Sequence, residues 1–188
     1  MTIIGISGKR GSGKDTLGKV LINKYGFVKI SFAKRLKEIA KEMYDLTNEQ
    51  VDGMLKETID PRYGITPRDI LIGLGNDGRK YDPNVWIRLA FQGLPDGKYI
   101  VTDLRYQNEA KYLQDQGAML VRLNRAKELN VYGTQELNTL SETDLDNYRF
   151  DMVVPEEFNV TLDDLDTVAF RIMGRVEDKC STLKLHVI

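Results

Sequence analysis

The apolar run Thr2-Ile3-Ile4-Gly5-Ile6-Ser7 leads directly into Gly8-Lys9-Arg10-Gly11-Ser12-Gly13-Lys14-Asp15-Thr16, and Leu17-Gly18-Lys19-Val20-Leu21-Ile22 follows. The first run reads as a buried strand and the last as the opening turns of a helix. Strand, glycine-rich loop and helix in that order are the context of a phosphate-binding loop. Glycines admit positive φ and let phosphate oxygens lie against the backbone. Successive N–H groups then face one concave nest, and the helix N-terminus adds partial positive charge. The spacing Gly8-x-x-x-x-Gly13-Lys14 is that of a Walker A loop, whose lysine reaches the terminal phosphates. Gly8, Gly11, Ser12, Gly13, Lys14, Asp15 and Thr16 are therefore the expected contacts to the phosphates of ATP. One position departs from the pattern. Asp15 stands where a Ser or Thr usually places its hydroxyl on magnesium, and Thr16 comes one residue later. Two arrangements stay open: Asp15 holds Mg2+, directly or through water, or Thr16 substitutes for it.

Charge supports an anionic ligand near this loop. Residues 1–41 carry ten Lys or Arg against two acids, Asp15 and Glu38, while the whole chain of 188 residues has a net charge of −1. The near-neutral total argues against stable nucleic-acid binding. The basic N-terminal region suits a highly charged small ligand, with some of its lysines serving a solvated helix face. Cys180 is the single cysteine and His186 the single histidine. No disulfide framework, zinc cluster or Cys/His nucleophile pair can be built from one of each. The opening Met-Thr-Ile-Ile-Gly is too short and too soon glycine-containing for a signal peptide. No stretch approaches the roughly 18 apolar residues of a membrane span. The expectation is a soluble, cytoplasmic protein of one domain over residues 1–188.

Periodicity places the remaining elements. A helix is expected from Lys14 to about Lys24, closed by Gly26, and a second strand over Phe27–Ser31. Ala33–Tyr44 reads as a helix with Leu36, Ile39, Ala40 and Met43 on one face. Thr47 and Gln50 have capping-box spacing, and a short helix follows to about Glu57. Residues 58–65 read as loop. Thr66-Pro67 is an N-cap followed by proline at the first helical position, opening a helix to Gly75, and Asp82-Pro83-Asn84 starts another. Strands are expected over Tyr99–Asp103, Ala118–Leu123 and Phe150–Val154, with a helix from Asn108 to Gln116. A short helix near Ser141-Glu142 and a C-terminal helix from Thr161 to Gly174 complete the expectation, and the tail from Arg175 to Ile188 is unplaced. Five strands separated by helices imply an α/β fold, a P-loop NTPase with a mostly parallel sheet flanked by helices. Residues about 33–95 form a helical insertion and about 124–147 a short lid-like segment.

Ligands of such sheets sit beyond the carboxyl ends of the strands. Asp103 ends an apolar strand, where an acid would orient magnesium and its waters, or would merely cap the next helix. Arg105 and Glu109 share a helix face at i, i+4. They read as a phosphate-binding Arg steered by Glu, or as a surface ion pair. Arg68, Arg79 and Arg88 surround Trp86. A phosphoryl acceptor needs its own cation clamp, and Arg68 stands at a helix start. Trp86 offers a face on which a base can stack, although a lone Trp in an apolar helix also reads as core. Glu142 could order a lid.

These residues resemble the bacteriophage-type deoxynucleoside monophosphate kinases, whose loops also carry Gly-Lys-Asp. The likeness runs in order over residues 2–155. It takes in Ser31-Phe32-Ala33, Thr66-Pro67-Arg68 with Leu74-Gly75, and Val85-Trp86. It continues through Thr102-Asp103-Leu104-Arg105-Tyr106-Gln107-Asn108-Glu109-Ala110, Gly117-Ala118 and Ser141-Glu142. The resemblance implies a nucleoside monophosphate kinase-like fold and Mg2+- and ATP-dependent phosphorylation of deoxynucleoside monophosphates to diphosphates. It implies a setting in the cytoplasm, the host's if the chain is phage-encoded. By position, Trp86, Asp103, Arg105 and Glu109 look like acceptor-site residues, with Arg68 and Gly75 beside them. Lys14, Arg10, Arg105 and Asp103 form the expected catalytic group, and Asp15, Thr16 and Asp103 the expected metal donors. An arginine-rich lid is absent over residues 125–140, so Arg122 and Arg125 are the expected cover over ATP. The loop also resembles that of animal-type phosphomevalonate kinases, which keeps a non-nucleotide acceptor open. A regulatory module that binds ATP without transfer is the third reading. The acceptor base, the sugar and the oligomeric state, a homodimer included, stay open.

Overall fold

The first apolar run is the centre of a sheet. In the computed structural model it forms β1, Thr2–Ser7. The structure describes residues 1–9, 11–124, 143–155, 157 and 161–185, with side chains through Lys179. The sheet partners of β1 are β3, Lys98–Val101, and β4, Met119–Leu123. The edges are β2, Val28–Ile30, and β5, Met152–Val154, and every pairing is parallel in the order β2-β3-β1-β4-β5. Helices packed on the faces of this parallel sheet explain why Ile3, Ile4 and Ile6 are all buried although they do not alternate. The edge strand β2 is shorter than the Phe27–Ser31 expected, and on it Val28 and Lys29 are exposed and Ile30 is buried.

The chain divides into two compact units, Met1–Ile30 with Pro95–Ile188, and Ser31–Leu94. In the first, α1 (Lys14–Tyr25) follows the loop and ends on Gly26 in the left-handed region at φ 72. The helix α6, Gln107–Asp115, precedes β4. The last helix, α7, spans Leu162–Leu185. Leu17 and Leu21 of α1 and Leu165, Val168, Ala169, Ile172 and Val176 of α7 join Ile4, Ile6, Ile100 and Val121 of the strands in one core cluster. Leu113 of α6 packs closely over Gly5, where a Cβ would come within 2.8 Å of its side chain.

The second unit holds α2 (Ala33–Tyr44), α3 (Asn48–Val51), a 3-10 turn (Met54–Glu57), α4 (Pro67–Tyr81) and α5 (Val85–Phe91). Both sequence-marked starts form. Thr47 and Gln50 make a full capping box, and Thr66 makes another with Asp69, Pro67 lying in the first turn. Either cap contributes about 1 kcal/mol.

Four expectations are corrected. On α2 only Leu36 and Ala40 are buried, whereas Ile39 and Met43 are 37% and 63% exposed, so the apolar stripe is narrower than its period suggests. Helix α4 runs past Gly75 to Tyr81, because Gly75 is a buried packing position. Helix α7 runs past Gly174 to Leu185. Ile172 and Val176, one turn apart, keep it on the core, and each such burial is worth about 1.5–3 kcal/mol against the roughly 1 kcal/mol cost of a helical glycine. Asp103 lies two residues beyond the end of β3 rather than within it. The helix expected near Ser141-Glu142 falls outside the described residues.

Candidate functional site

The loop between β1 and α1 has the backbone its glycines foretell. Gly11 and Gly13 take left-handed φ values of 78 and 88, which side chains rarely adopt. Gly8 is required for a different reason: a Cβ there would lie 2.8 Å from the Leu123 carbonyl oxygen and 2.4 Å from Ser12 Oγ. The Ser12 N–H donates to the Lys9 carbonyl at 3.1 Å, and the Leu17 N–H donates to that of Gly13 at 2.9 Å, which starts α1. The Lys14 ammonium lies 3.5 Å from the Lys9 carbonyl oxygen. Thr16 is exposed in the first turn. Arg10, Arg125 and Glu142, all expected site residues, lie outside the described residues.

Asp15 is fixed by groups that sequence reasoning did not single out. Its Oδ1 accepts from Thr102 Oγ1 at 2.8 Å and from Lys29 Nζ at 3.0 Å. Thr102 is buried just beyond β3, and Gly18 lets α1 come this close, since a Cβ there would meet Thr102 Cγ2 at 2.7 Å. Partial burial works to raise the Asp15 carboxyl. The hydrogen bonds from Thr102 and Lys29, with the charges of Lys29 and Lys14, together outweigh it and hold the carboxyl below its ordinary value. The sequence signal for Thr102 was its place at the end of a strand; for Lys29 there was none beyond its charge.

The residues after β3 sit beside this corner, because β3 is the parallel neighbour of β1 and Thr102 bonds to Asp15. Asp103 and Arg105 are both partly exposed, and Leu104 between them is buried. Glu109 turns back on the start of its own helix. It is buried at 3%, and its Oε2 accepts the backbone N–H groups of Arg105 at 2.9 Å and Tyr106 at 3.1 Å. The carboxylate thus shapes the turn that presents Arg105. Arg122 is also placed otherwise than expected. It is buried in β4, donating to Ser7 Oγ at 2.9 Å and to Asp146 Oδ1 at 2.6 Å. A guanidinium so engaged braces the sheet.

In the helical unit, Arg68 Nε donates to Glu57 Oε1 at 2.6 Å. Lys37 pairs with Asp52. Lys56 has an ammonium held below its ordinary pKa by burial first and then by the charges of Lys37 and Arg68. Three cations therefore crowd one corner of this unit, and of these the sequence pattern points only to Arg68. Trp86 is buried at 7%, and its Nε1–H donates to the Gly75 carbonyl at 3.0 Å. Gly78 admits the indole, for a Cβ there would lie 2.7 Å from Trp86 Cζ2. The ring is a packing post between α4 and α5, not the open stacking face the residue type suggested.

No family model matches the sequence. A curated relative from Acanthamoeba polyphaga mimivirus, named "Putative deoxynucleotide monophosphate kinase", is 35% identical over 144 residues, covering 66% of this chain and 75% of the relative. The chain belongs to the deoxynucleotide monophosphate kinase family. Membership supports a P-loop kinase, a phosphotransferase whose loop binds nucleotide phosphates. Solved shikimate kinases from Bacteroides thetaiotaomicron and Aquifex aeolicus are similar at 16% and 14% identity, with TM-scores of 0.46 and 0.48. Each aligns over 98% of its length, covering 94% and 93% of this chain respectively. Likenesses at that level are too coarse to add to the sheet order and the loop. Among the described residues no helix is long and apolar enough to cross a membrane.

Proposed function

We propose that the chain transfers the γ-phosphoryl group of ATP to the 5′-phosphate of a deoxynucleoside monophosphate, releasing ADP and the diphosphate. The observation that carries this reading is the loop corner itself. Left-handed Gly11 and Gly13, the start of α1, Lys14 and the braced Asp15 stand beside the turn that presents Arg105. The relative's name supports the acceptor class.

An oxygen of the acceptor phosphate attacks the γ-phosphorus in line, and the bond to the β–γ bridging oxygen breaks as the new one forms. No side-chain nucleophile is required. Catalysis rests on alignment and on charge placed where it develops. Lys14 serves the donor phosphates, with Arg10 and Arg105 spreading charge over the transferred group. Arg68, with Lys37 and Lys56 beside it, is the cation set we assign to the acceptor phosphate. Asp15, Thr16 and Asp103 offer hard oxygen donors of the kind Mg2+ accepts. Asp15 Oδ1 already accepts from Thr102 and Lys29, so an ion held by Asp15 would use its other carboxylate oxygen or displace the Lys29 ammonium. When bound, the ion neutralises charge on the β- and γ-phosphates.

The deciding experiment incubates the protein with Mg-ATP and each ribo- and deoxynucleoside monophosphate separately, and measures ADP and the nucleoside diphosphate. Transfer to one or more deoxynucleotides is expected and identifies the base. ATP binding without transfer to any of them would leave the loop standing and overturn the acceptor class.

A further inference from the structure

Arginine is unusual inside a parallel strand, and Arg122 of β4 is 9% exposed. A buried guanidinium persists only where its charge and N–H groups are met. Here Nη1 donates to Ser7 Oγ at 2.9 Å and Nη2 to Asp146 Oδ1 at 2.6 Å, with the Phe150 ring 5.9 Å away. Ser7 is the last residue of β1, immediately before Gly8. The other oxygen of Asp146 lies 3.5 Å from Lys9 Nζ, within the loop. One carboxylate therefore holds the foot of the loop through Arg122 and its first charged residue directly. Its mount is itself anchored. Two residues earlier, Asp144 Oδ2 accepts the Gln107 N–H at 2.8 Å and the Asp144 carbonyl accepts from Gln107 Nε2 at 2.9 Å, at the start of α6.

We propose that Asp146 and Arg122 form a positioning pair that sets the phosphate loop for nucleotide through Lys9. The Lys9 carbonyl accepts the Ser12 N–H at 3.1 Å and faces the Lys14 ammonium at 3.5 Å. Displacing Lys9 thus moves the acceptor that helps orient Lys14. A merely structural pair would need Arg122 and Asp146 alone. The long, partly exposed Lys9 contact adds little to stability, so its effect belongs in nucleotide affinity. The inference rests on reading residues 8–16 as the nucleotide-phosphate loop.

The test compares wild type, Asp146→Asn, Lys9→Gln and the double variant by calorimetric titration with ATP and ADP, by steady-state kinetics and by thermal melting. Asp146→Asn keeps an oxygen for Arg122 and removes the charge facing Lys9. Its ATP Kd and KM should rise about three- to thirtyfold with the acceptor KM unchanged, while its melting midpoint falls because the buried Arg122 loses its counter-charge; Lys9→Gln should weaken ATP with a melting midpoint near wild type. Lys9→Gln should add little further in the double variant. Unchanged ATP affinity in Asp146→Asn, or fully additive effects, would overturn the pair. Should Asp146→Asn not fold, unchanged ATP affinity in Lys9→Gln overturns it equally. Failure of the wild type to bind either nucleotide would instead remove the loop reading, and this inference with it.

Discussion

Trp86 and Arg105 show how residue type and residue role separate. By position both look like acceptor residues, but the indole is buried and its N–H is spent on the Gly75 carbonyl. Trp86→Phe should therefore lower stability by about 1–3 kcal/mol, from the lost hydrogen bond and the smaller ring, and leave base preference unchanged. Denaturant melts and the acceptor panel check the two halves of that statement. Arg105 stands partly exposed on a turn whose backbone is held by Glu109. Arg105→Ala should keep the fold and reduce kcat by about 10²–10³-fold, the range for removing one charge-stabilising donor. Near-normal turnover would remove it from the mechanism. Glu109 was legible as a neighbour of Arg105 and not as a backbone clamp. An i, i+4 spacing puts two side chains on one face without saying which will turn back to the helix start.

Helix α7 and the loop after the 3-10 turn carry the lesson for elements. Gly174 reads as a stop, but a Cβ there would meet nothing within 4 Å, and the helix continues to Leu185. Gly174→Ala should raise stability by about 0.5–1 kcal/mol in thermal or urea melts. A loss would mean that the glycine has a backbone reason of its own. Residues 58–65 read as plain loop, but they are clasped. Asp60 is buried and accepts from Arg62 Nε at 3.0 Å, Arg62 Nη2 at 2.7 Å and Gln50 Nε2 at 2.7 Å, while Arg62 also reaches the Asp45 carbonyl. The hydrogen bonds from Arg62 pull the Asp60 carboxyl down to about 2. A carboxyl lowered by folding adds stability that is full above its unfolded value near pH ~4 and is lost as pH falls toward 2. The gap in stability between wild type and Asp60→Asn should accordingly be widest at neutral pH and narrow between about pH 4 and 2. Urea titrations at several pH values would reveal a constant gap if the clasp were not ionic.

At the scale of the whole molecule, the proposed donor contacts lie on the sheet-bearing unit, and the cations we assign to the acceptor lie on the helical unit. Kinetics should divide the same way. Arg68→Ala and Lys56→Ala should raise the acceptor KM about tenfold or more, the weight of a charged hydrogen bond, with ATP KM little changed. A rise in ATP KM alone would reverse the assignment. What the sequence by itself determined is whatever contiguous residues decide: the strand–loop–helix corner, the left-handed glycines, the Thr47 and Thr66 caps, and the five strands. Backbone geometry and capping act over a few residues, so their signals lie in adjacent letters. Only the tertiary structure decided that Thr102, 87 residues away, would hold Asp15, that Arg122 would turn inward to Ser7 and Asp146, and that Gly174 would not end its helix. Those outcomes depend on which strands become neighbours and how closely a helix approaches them. The order β2-β3-β1-β4-β5, assembled from segments far apart in the chain, sets both.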